Sequence, residues 1–292
     1  MSTDVTTGST GLAVPMPGTI IGAVDLDAPD QARDALALAT WLTDLTASEL
    51  LLVTVFAPRA GTLSAQLDKR RRRLAALADP VEALVIASAS PARVLHELAD
   101  QRHPGALVIG SSRSGANGVV SLGSAGELLL HGCPVPVAVA PNGFTPPTAC
   151  PADIGVAYGT TPESEDAVRV AAAIAGPEGA RLRVLAVDEP ALHNELAERH
   201  PGERLEHALA GRPSEYVELM GDPAEALAAA SANLDLLVTG SRSYGPLGAV
   251  LLGAVTRRLI GAARCPMMVV PRTRDAAWSV ALVGGVDTAF DA

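Results

Sequence analysis

The sequence contains the same pattern twice, and this repeat limits the fold more than any other feature. A glycine-rich segment begins at Ala106 as ALVIGSSRSGANGVVSLGSAGELLL and returns at Leu236 as LLVTGSRSYGPLGAVLLGAVTRRLI. Four glycines recur at an offset of 130, with positions 110, 115, 118 and 123 matching 240, 245, 248 and 253. The chain of 292 residues therefore holds two copies of one domain.

In each copy, short aliphatic runs alternate with helical patterns, as they do in a parallel sheet covered on both faces. This pattern predicts an α/β fold of two tandem Rossmann-like or flavodoxin-like domains, each an open parallel five-stranded sheet with helices on both faces. Ligands of such folds bind at the carboxyl ends of the strands. The predicted strands are 19–24, 50–55, 81–87, 106–109 and 135–140, then 154–157, 182–187, 216–220, 236–239 and 267–270.

The domain limits follow from the repeat and from a proline-rich stretch, NGFTPPTAC, between the copies. Residues 1–17 are expected to be a flexible N-terminal arm with no signal peptide. The first domain then spans 18–143, a linker 144–151, the second domain 152–273, and a C-terminal tail 274–292. The tail reads like a further first strand, so an added edge strand, an exchanged arm and disorder all remain open.

Charge and composition argue against several classes of function. A net charge of −10 and only 3% aromatic residues disfavour nucleic acid as a partner. Lys69 is the only lysine and no glycine precedes it, which excludes a lysine-containing P-loop. The three cysteines form no C-x-x-C pair, which indicates reduced thiols and a cytoplasmic protein. No segment has the composition of a membrane helix, so no membrane partner is expected.

The glycine-rich segments have the features of an anion site. Each leaves a predicted strand, passes through several glycines and enters a helix near Gly123 or Gly253. Bare backbone amides and a helix start bind phosphate without needing a lysine. In the alternative interpretation, the glycines only turn the chain and allow close packing of helix and strand.

The order strand, G-S-S/R, several glycines, L-G-S/A, helix and C-P or V-P resembles the universal stress protein family, in tandem form. Members of that family that bind ATP carry G-x2-G-x9-G-S/T and an aspartate after the first strand. The resemblance therefore implies a nucleotide site in domain 1, where Arg113 stands at the middle glycine position and Gly115 lies in the loop. The matching residues there are Asp25 (or Asp27), Gly110, Gly123 and Ser124.

Domain 2 departs further from that pattern. Gly240 and Gly253 match, but Ser243 replaces the middle glycine and Ala254 the hydroxyl residue. Gly159 stands where the aspartate is expected. ATP is thus expected in domain 1 rather than in domain 2, and Mg²⁺ only together with ATP.

These residues predict a stress-response regulatory protein and no catalytic residue. One alternative is a nucleotide-independent scaffold that binds a partner, and another is a weak ATPase. The resemblance implies that the two domains pair within the chain through their last strands, PVAVAP and PMMVVP. A homodimer and an unidentified regulatory protein partner stay open.

Three further signals are given structural interpretations. The basic run DKRRRR at 68–73 could contact a phosphate or an acidic patch of a partner, but it is taken as a solvated helix face. Asp222 with Glu225 is taken as a helix cap rather than a carboxylate pair. His193, His200 and His207 recur every seven residues, but proline and glycine interrupt the helix that would align them, so no metal site is expected.

Overall fold

A computed structural model describes residues 18–78, 81–148, 151–159, 161–176, 180–188, 201–241 and 252–271. Ser243, Cys150, His193, His200, the arm 1–17 and the tail after 271 lie outside these ranges. Within the described part, no helix is both long enough and apolar enough to cross a bilayer.

The first copy alternates strands and helices along its whole length. Its strands are β1 (Thr19–Ala23), β2 (Glu49–Phe56), β3 (Glu82–Ala87), β4 (Ala106–Gly110) and β5 (Val137–Ala140). Its helices are α1 (Pro29–Thr46), α2 (Leu63–Ala75), α3 (Pro91–Arg102) and α4 (Ser124–Leu130).

The second copy repeats this order. Its strands are β6 (Ala152–Tyr158), β7 (Ala180–Asp188), β8 (Glu215–Met220), β9 (Leu236–Gly240) and β10 (Met267–Val270). Its helices are α5 (Pro162–Ala175), α6 (Pro201–Leu209), α7 (Pro223–Ala230) and α8 (Ala254–Leu259). Every predicted strand is present, and no end is shifted by more than two residues.

Both copies have the same strand order, and the two halves form one continuous sheet. Its order is β3-β2-β1-β4-β5-β10-β9-β6-β7-β8. Within each half all neighbours are parallel, which confirms the predicted doubly wound α/β fold. The strand order reverses between β1 and β4 in one half and between β6 and β9 in the other, and ligands of such folds bind at these points.

The halves meet through their last strands, as the resemblance implies. β5 and β10 pair antiparallel, with Ala138 opposite Met268. All residues of both strands are buried. The pairing covers two sheet edges that would otherwise be open to other chains.

A second contact between the halves lies beside this pairing. Val120, in the glycine-rich loop of domain 1, donates its N–H to Ala263 O at 3.0 Å and accepts from Gly261 N at 2.8 Å. The loop that follows β4 is therefore held in place by the turn that precedes β10.

Apolar cores cover both faces of the sheet. One core contains Leu38 of α1 and Val168 of α5, and the other contains Leu95 of α3 and Leu227 of α7. Each includes residues from both copies, so the cores continue across the β5/β10 junction. Burial of these aliphatic side chains supplies the main driving force for folding, at about 25 cal/mol per Å².

Candidate functional site

A cavity of about 620 Å³ lies at the carboxyl ends of β1, β2 and β4 in domain 1. Asp25, which follows β1, and Gly110, which ends β4, flank the point where the strand order reverses. The volume falls within the range of sites for small ligands and cofactors. Apolar residues form part of the wall, among them Val55, Phe56, Ala92 and Leu95.

Asp25 shapes the turn between β1 and α1. Its carboxylate Oδ1 accepts the N–H of Asp27 at 2.9 Å, and its carbonyl accepts the N–H of Ala28 at 2.9 Å. Asp25 is exposed and lines the cavity. Its second carboxylate oxygen is therefore available to a ligand, since only Oδ1 takes part in the turn.

The glycine-rich loop of domain 1 is fixed by its own serines. The buried Ser111 donates its hydroxyl to Ala140 O at 2.6 Å and accepts the N–H of Ser121 at 2.9 Å. Ser121 Oγ and Asn142 Nδ2 both donate to Ser112 O, at 3.1 and 3.0 Å. The loop is thus ordered before any ligand arrives, which lowers the entropic cost of binding.

The glycines predicted to bind a nucleotide serve different purposes. A Cβ at Gly110 would lie 2.4 Å from Gln31 O, and one at Gly115 would lie 2.0 Å from Ser121 Oγ. Both are required by packing within the domain. Gly110 also lines the cavity, whereas Gly115 is not among the lining residues.

Gly123 differs from those two. It lines the cavity, its φ of −93° suits any residue, and the nearest atom to an added Cβ would be Ser112 Oγ at 3.7 Å. The packing of the domain does not require a glycine at this position. What glycine provides there is bare backbone facing the cavity.

Ser124 is the first residue of α4 and is exposed on the cavity wall. Its hydroxyl is therefore placed where the resemblance implies a phosphate contact. Gly123 at the N-cap makes no side-chain cap bond. The first amides of α4 are therefore not capped by that residue.

Arg113 spans the mouth of the cavity. Its guanidinium donates to the backbone carbonyl of Asp27, which joins the glycine-rich loop to the β1–α1 turn. The side chain that replaces the middle glycine is thus exposed, lines the cavity and is held by a backbone acceptor.

Arginines of the basic run also reach this site, so its interpretation as a purely solvated face is wrong. Arg70 donates to Asp27 Oδ2 at 2.7 Å, and Arg73 Nη1 lies 3.5 Å from Asp27 Oδ1. Arg59, from the β2–α2 connection, lies 3.7 Å from Asp27 Oδ2. The hydrogen bond from Arg70, with the charges of Arg59 and Arg73, lowers the pKa of Asp27.

The sequence alone did not identify Phe56 or Arg59 as site residues. Phe56 ends β2, lines the cavity and carries the Arg70 guanidinium 4.3 Å from its ring centroid. Two signals were available in the sequence. Phe56 stands directly after the predicted strand 50–55, and a run of arginines follows at 70–73.

The strand register shows which residue of domain 2 is equivalent to each site residue of domain 1. Ile20 of β1 pairs with Ala106, and Ile154 of β6 pairs with Leu236, so Gly159 occupies the position of Asp25. Gly240 ends β9, where a Cβ would lie 2.5 Å from Glu163 O, so packing requires this glycine as well. Gly253 is the N-cap of α8. Of the predicted site residues in this domain, only Ser243 lies outside the described ranges.

Cys133 and Cys265 are free and buried. Burial raises the pKa of the Cys133 thiol to about 11 and that of Cys265 to about 12. Both thiols are therefore protonated and unreactive near neutral pH. The described ranges contain no group of three His, Cys, Asp or Glu residues positioned to hold a metal ion.

A sequence model described as the Universal stress protein family matches residues 16–141 and 152–271. The chain belongs to the universal stress protein family. Its two matched segments correspond to the two halves of the sheet, so it is a tandem member.

Relatives and solved structures agree with this assignment. A universal stress protein of Thermus aquaticus is 35% identical over 130 residues, covering 39% of this chain and 95% of that protein. A universal stress protein of Mycobacterium tuberculosis is 29% identical over 230 residues, covering 71% of this chain and 79% of the relative. The crystal structure of a universal stress protein from Archaeoglobus fulgidus matches with a TM-score of 0.64 at 17% identity, covering 88% of this chain and 99% of the other, and shows the same fold.

Proposed function

We propose that this universal stress protein is a stress-response regulator whose first domain binds ATP in the cavity between β1 and β4. The observation that carries the proposal is Gly123, a glycine on the cavity wall that the packing of the protein does not require. Bare backbone at that position serves a ligand that must approach closely.

The cavity supplies the contacts that a nucleotide needs. The apolar wall around Phe56 and Leu95 suits a base, and the available carboxylate oxygen of Asp25 suits a ribose hydroxyl. The backbone at Gly123 and the hydroxyl of Ser124 would hold phosphate oxygens. When ATP is bound with Mg²⁺, the metal would be held mainly by the phosphates, because the described residues offer no cluster of ligands for it.

The test is calorimetric titration of ATP against the Gly123→Ala variant. The added methyl group occupies space needed by a phosphate, so we expect affinity to fall at least about tenfold, or ~1.4 kcal/mol. The free energy of unfolding should stay the same or rise by about 0.5 kcal/mol, because alanine fits the backbone conformation of Gly123.

Gly253→Ala is the matched control, because Gly253 holds the equivalent N-cap position in domain 2. It should leave ATP affinity unchanged. Unaltered ATP binding by Gly123→Ala, or no binding by the unchanged chain at millimolar ATP, contradicts the proposal.

A nucleotide-independent scaffold is the second candidate. It is favoured by Arg113, which already joins the two sides of the cavity mouth, and by the packing roles of Gly110 and Gly115. Mass spectrometry of gently purified protein separates the two functions. Co-purified ATP supports the first, whereas an empty cavity in a protein that retains a stable partner supports the second.

A further inference from the structure

Four arginines converge on Asp27 at the mouth of the domain 1 cavity. Arg59, Arg70 and Arg73 face its carboxylate, and Arg113 donates to its backbone carbonyl. We refer to these four residues as the arginine cluster. One carboxylate balances one of their charges, so the mouth keeps a local excess of positive charge in a chain whose net charge is −10.

Other nearby acids do not balance the arginine cluster. Asp68 pairs with Arg71 at 3.4 Å, and Asp30 pairs with Arg33 at 3.2 Å. Asp25 lines the same cavity and adds one more negative charge, so the four arginines still exceed the two carboxylates.

The members of the cluster are held to different degrees. The Arg70 side chain is 11% exposed and stacks on Phe56, and its Nη1 is buried without a hydrogen-bond partner among the described residues. The Arg59 side chain is 80% exposed and only 3.7 Å from Asp27. Arg70 and Arg73 dock α2 on the β1–α1 turn, whereas Arg59 and Arg113 reach Asp27 from segments outside that helix.

An anion fits this arrangement better than a purely structural role. Guanidinium groups bind phosphate through paired, charge-assisted hydrogen bonds. A terminal phosphate carries more charge and more acceptor oxygens than a carboxylate, so it competes well for the same donors. Arg113 belongs to the glycine-rich loop, where the phosphates of the proposed nucleotide lie.

We propose that the arginine cluster binds the terminal phosphates of a nucleoside polyphosphate and that Asp27 occupies the cluster in the free protein as an internal counter-ion. This inference rests on the proposed nucleotide site. Arg59 and Arg113 turn from Asp27 to the ligand when it binds. Their charge replaces that of a divalent cation, so the polyphosphate binds without one.

The experiment is calorimetric titration of the full chain, in EDTA, with adenosine, AMP, ADP and ATP in turn. We expect ATP to bind at least about tenfold more tightly than AMP, or ~1.4 kcal/mol. In Arg59→Gln and Arg113→Gln this preference should shrink to about twofold or less, with adenosine affinity unchanged. Arg71→Gln is the matched control, because Arg71 lies on α2 next to Arg70 but pairs with Asp68, and this variant should keep the preference.

Asp27→Asn gives a result that a structural role would not produce. Removing the internal counter-ion should strengthen ATP binding by about fivefold while adenosine affinity stays constant. Thermal unfolding of each variant checks that it is folded. If Asp27→Asn does not fold, the two arginine variants still test the inference.

The outcomes separate this inference from the proposed function. Equal affinity for adenosine, AMP and ATP, or ATP binding only with Mg²⁺, overturns the inference and leaves the nucleotide site standing. No binding of any of the four compounds overturns both. Weaker ATP binding by folded Asp27→Asn also overturns the inference.

Discussion

Asp34 is a buried carboxylate that fixes the start of the connection between the domains. It lies on α1, is 3% exposed, and accepts the N–H of Gly143 at 2.8 Å. Burial raises the pKa of Asp34, although the hydrogen bond from Gly143 acts in the opposite direction. A raised pKa means that ionisation of this group opposes folding.

We expect Asp34→Asn to change how stability depends on pH. In the unchanged chain, the contribution of Asp34 is most favourable below its ordinary pKa of 3.8 and declines as pH rises through the raised value. The unfolding temperature of the variant, relative to the unchanged chain, should therefore be higher at pH 7 than at pH 3. Differential scanning calorimetry at the two pH values measures this difference.

Asp30→Asn, at an exposed position on the same helix, provides the control for replacing an aspartate of α1 by asparagine. A relative unfolding temperature for Asp34→Asn that is the same at both pH values would contradict the prediction.

For single residues, the sequence does not separate a glycine that packing requires from a glycine that is available to a ligand. Gly110, Gly115 and Gly123 look alike in the sequence, and all three are predicted to belong to the site. Only the contacts separate the two that packing requires from the one it does not. Those contacts involve Gln31 and Ser121, which come close only after folding, so no local pattern could have shown the distinction.

Among the helices, equivalent starts are stabilised in different ways. Thr161 caps α5 through a capping box with Ser164, and Asp222 caps α7 by accepting from Ala224 N and Glu225 N. This confirms the interpretation of Asp222 as a cap. Ser90 precedes α3 at the equivalent position of domain 1 but makes no side-chain cap bond.

Thr161→Ala should destabilise the protein by about 1 kcal/mol, because it leaves one end of α5 without its side-chain acceptor. Chemical denaturation followed by circular dichroism measures the change. Ser90→Ala is the matched control and should change stability by less than about 0.3 kcal/mol, since Ser90 caps nothing. Equal losses of stability in both variants would show that removal of a side-chain cap does not cause the destabilisation.

Strands were predictable because each is a short aliphatic run between turn residues. The role of α2 was not. Its basic run looks like a solvated face, since helical spacing alone does not reveal that Asp27, more than 40 residues earlier, folds against Arg70. Charges brought together by tertiary structure leave no mark within one helix.

For the whole molecule, the β5/β10 junction makes the two copies one body. Each half alone would expose a strand whose residues are all buried in the full chain. An open, apolar edge strand readily pairs with another copy of itself.

We therefore expect a fragment of residues 1–148 to form a dimer in which β5 pairs antiparallel with β5 of the second copy. Light scattering over a range of concentrations measures the mass. The same fragment carrying Val139→Pro lacks a strand amide on the side of β5 that faces β10 in the full chain, so it should dimerise more weakly while keeping its helical circular dichroism. A fragment that stays monomeric at every concentration contradicts the prediction.

Because of the antiparallel junction, the strands of the two halves run in opposite directions. The carboxyl ends of β1 and β4 therefore face one side of the molecule, and those of β6 and β9 face the opposite side. The cavity of domain 1 is therefore reached from the side at the carboxyl ends of β1 and β4. Gly240 and Gly253 of domain 2 are reached from the opposite side, so a ligand or partner at one domain would leave the corresponding surface of the other domain open. The duplication therefore turns the cavity of domain 1 and the equivalent point of domain 2 toward opposite sides of the molecule rather than placing them next to each other.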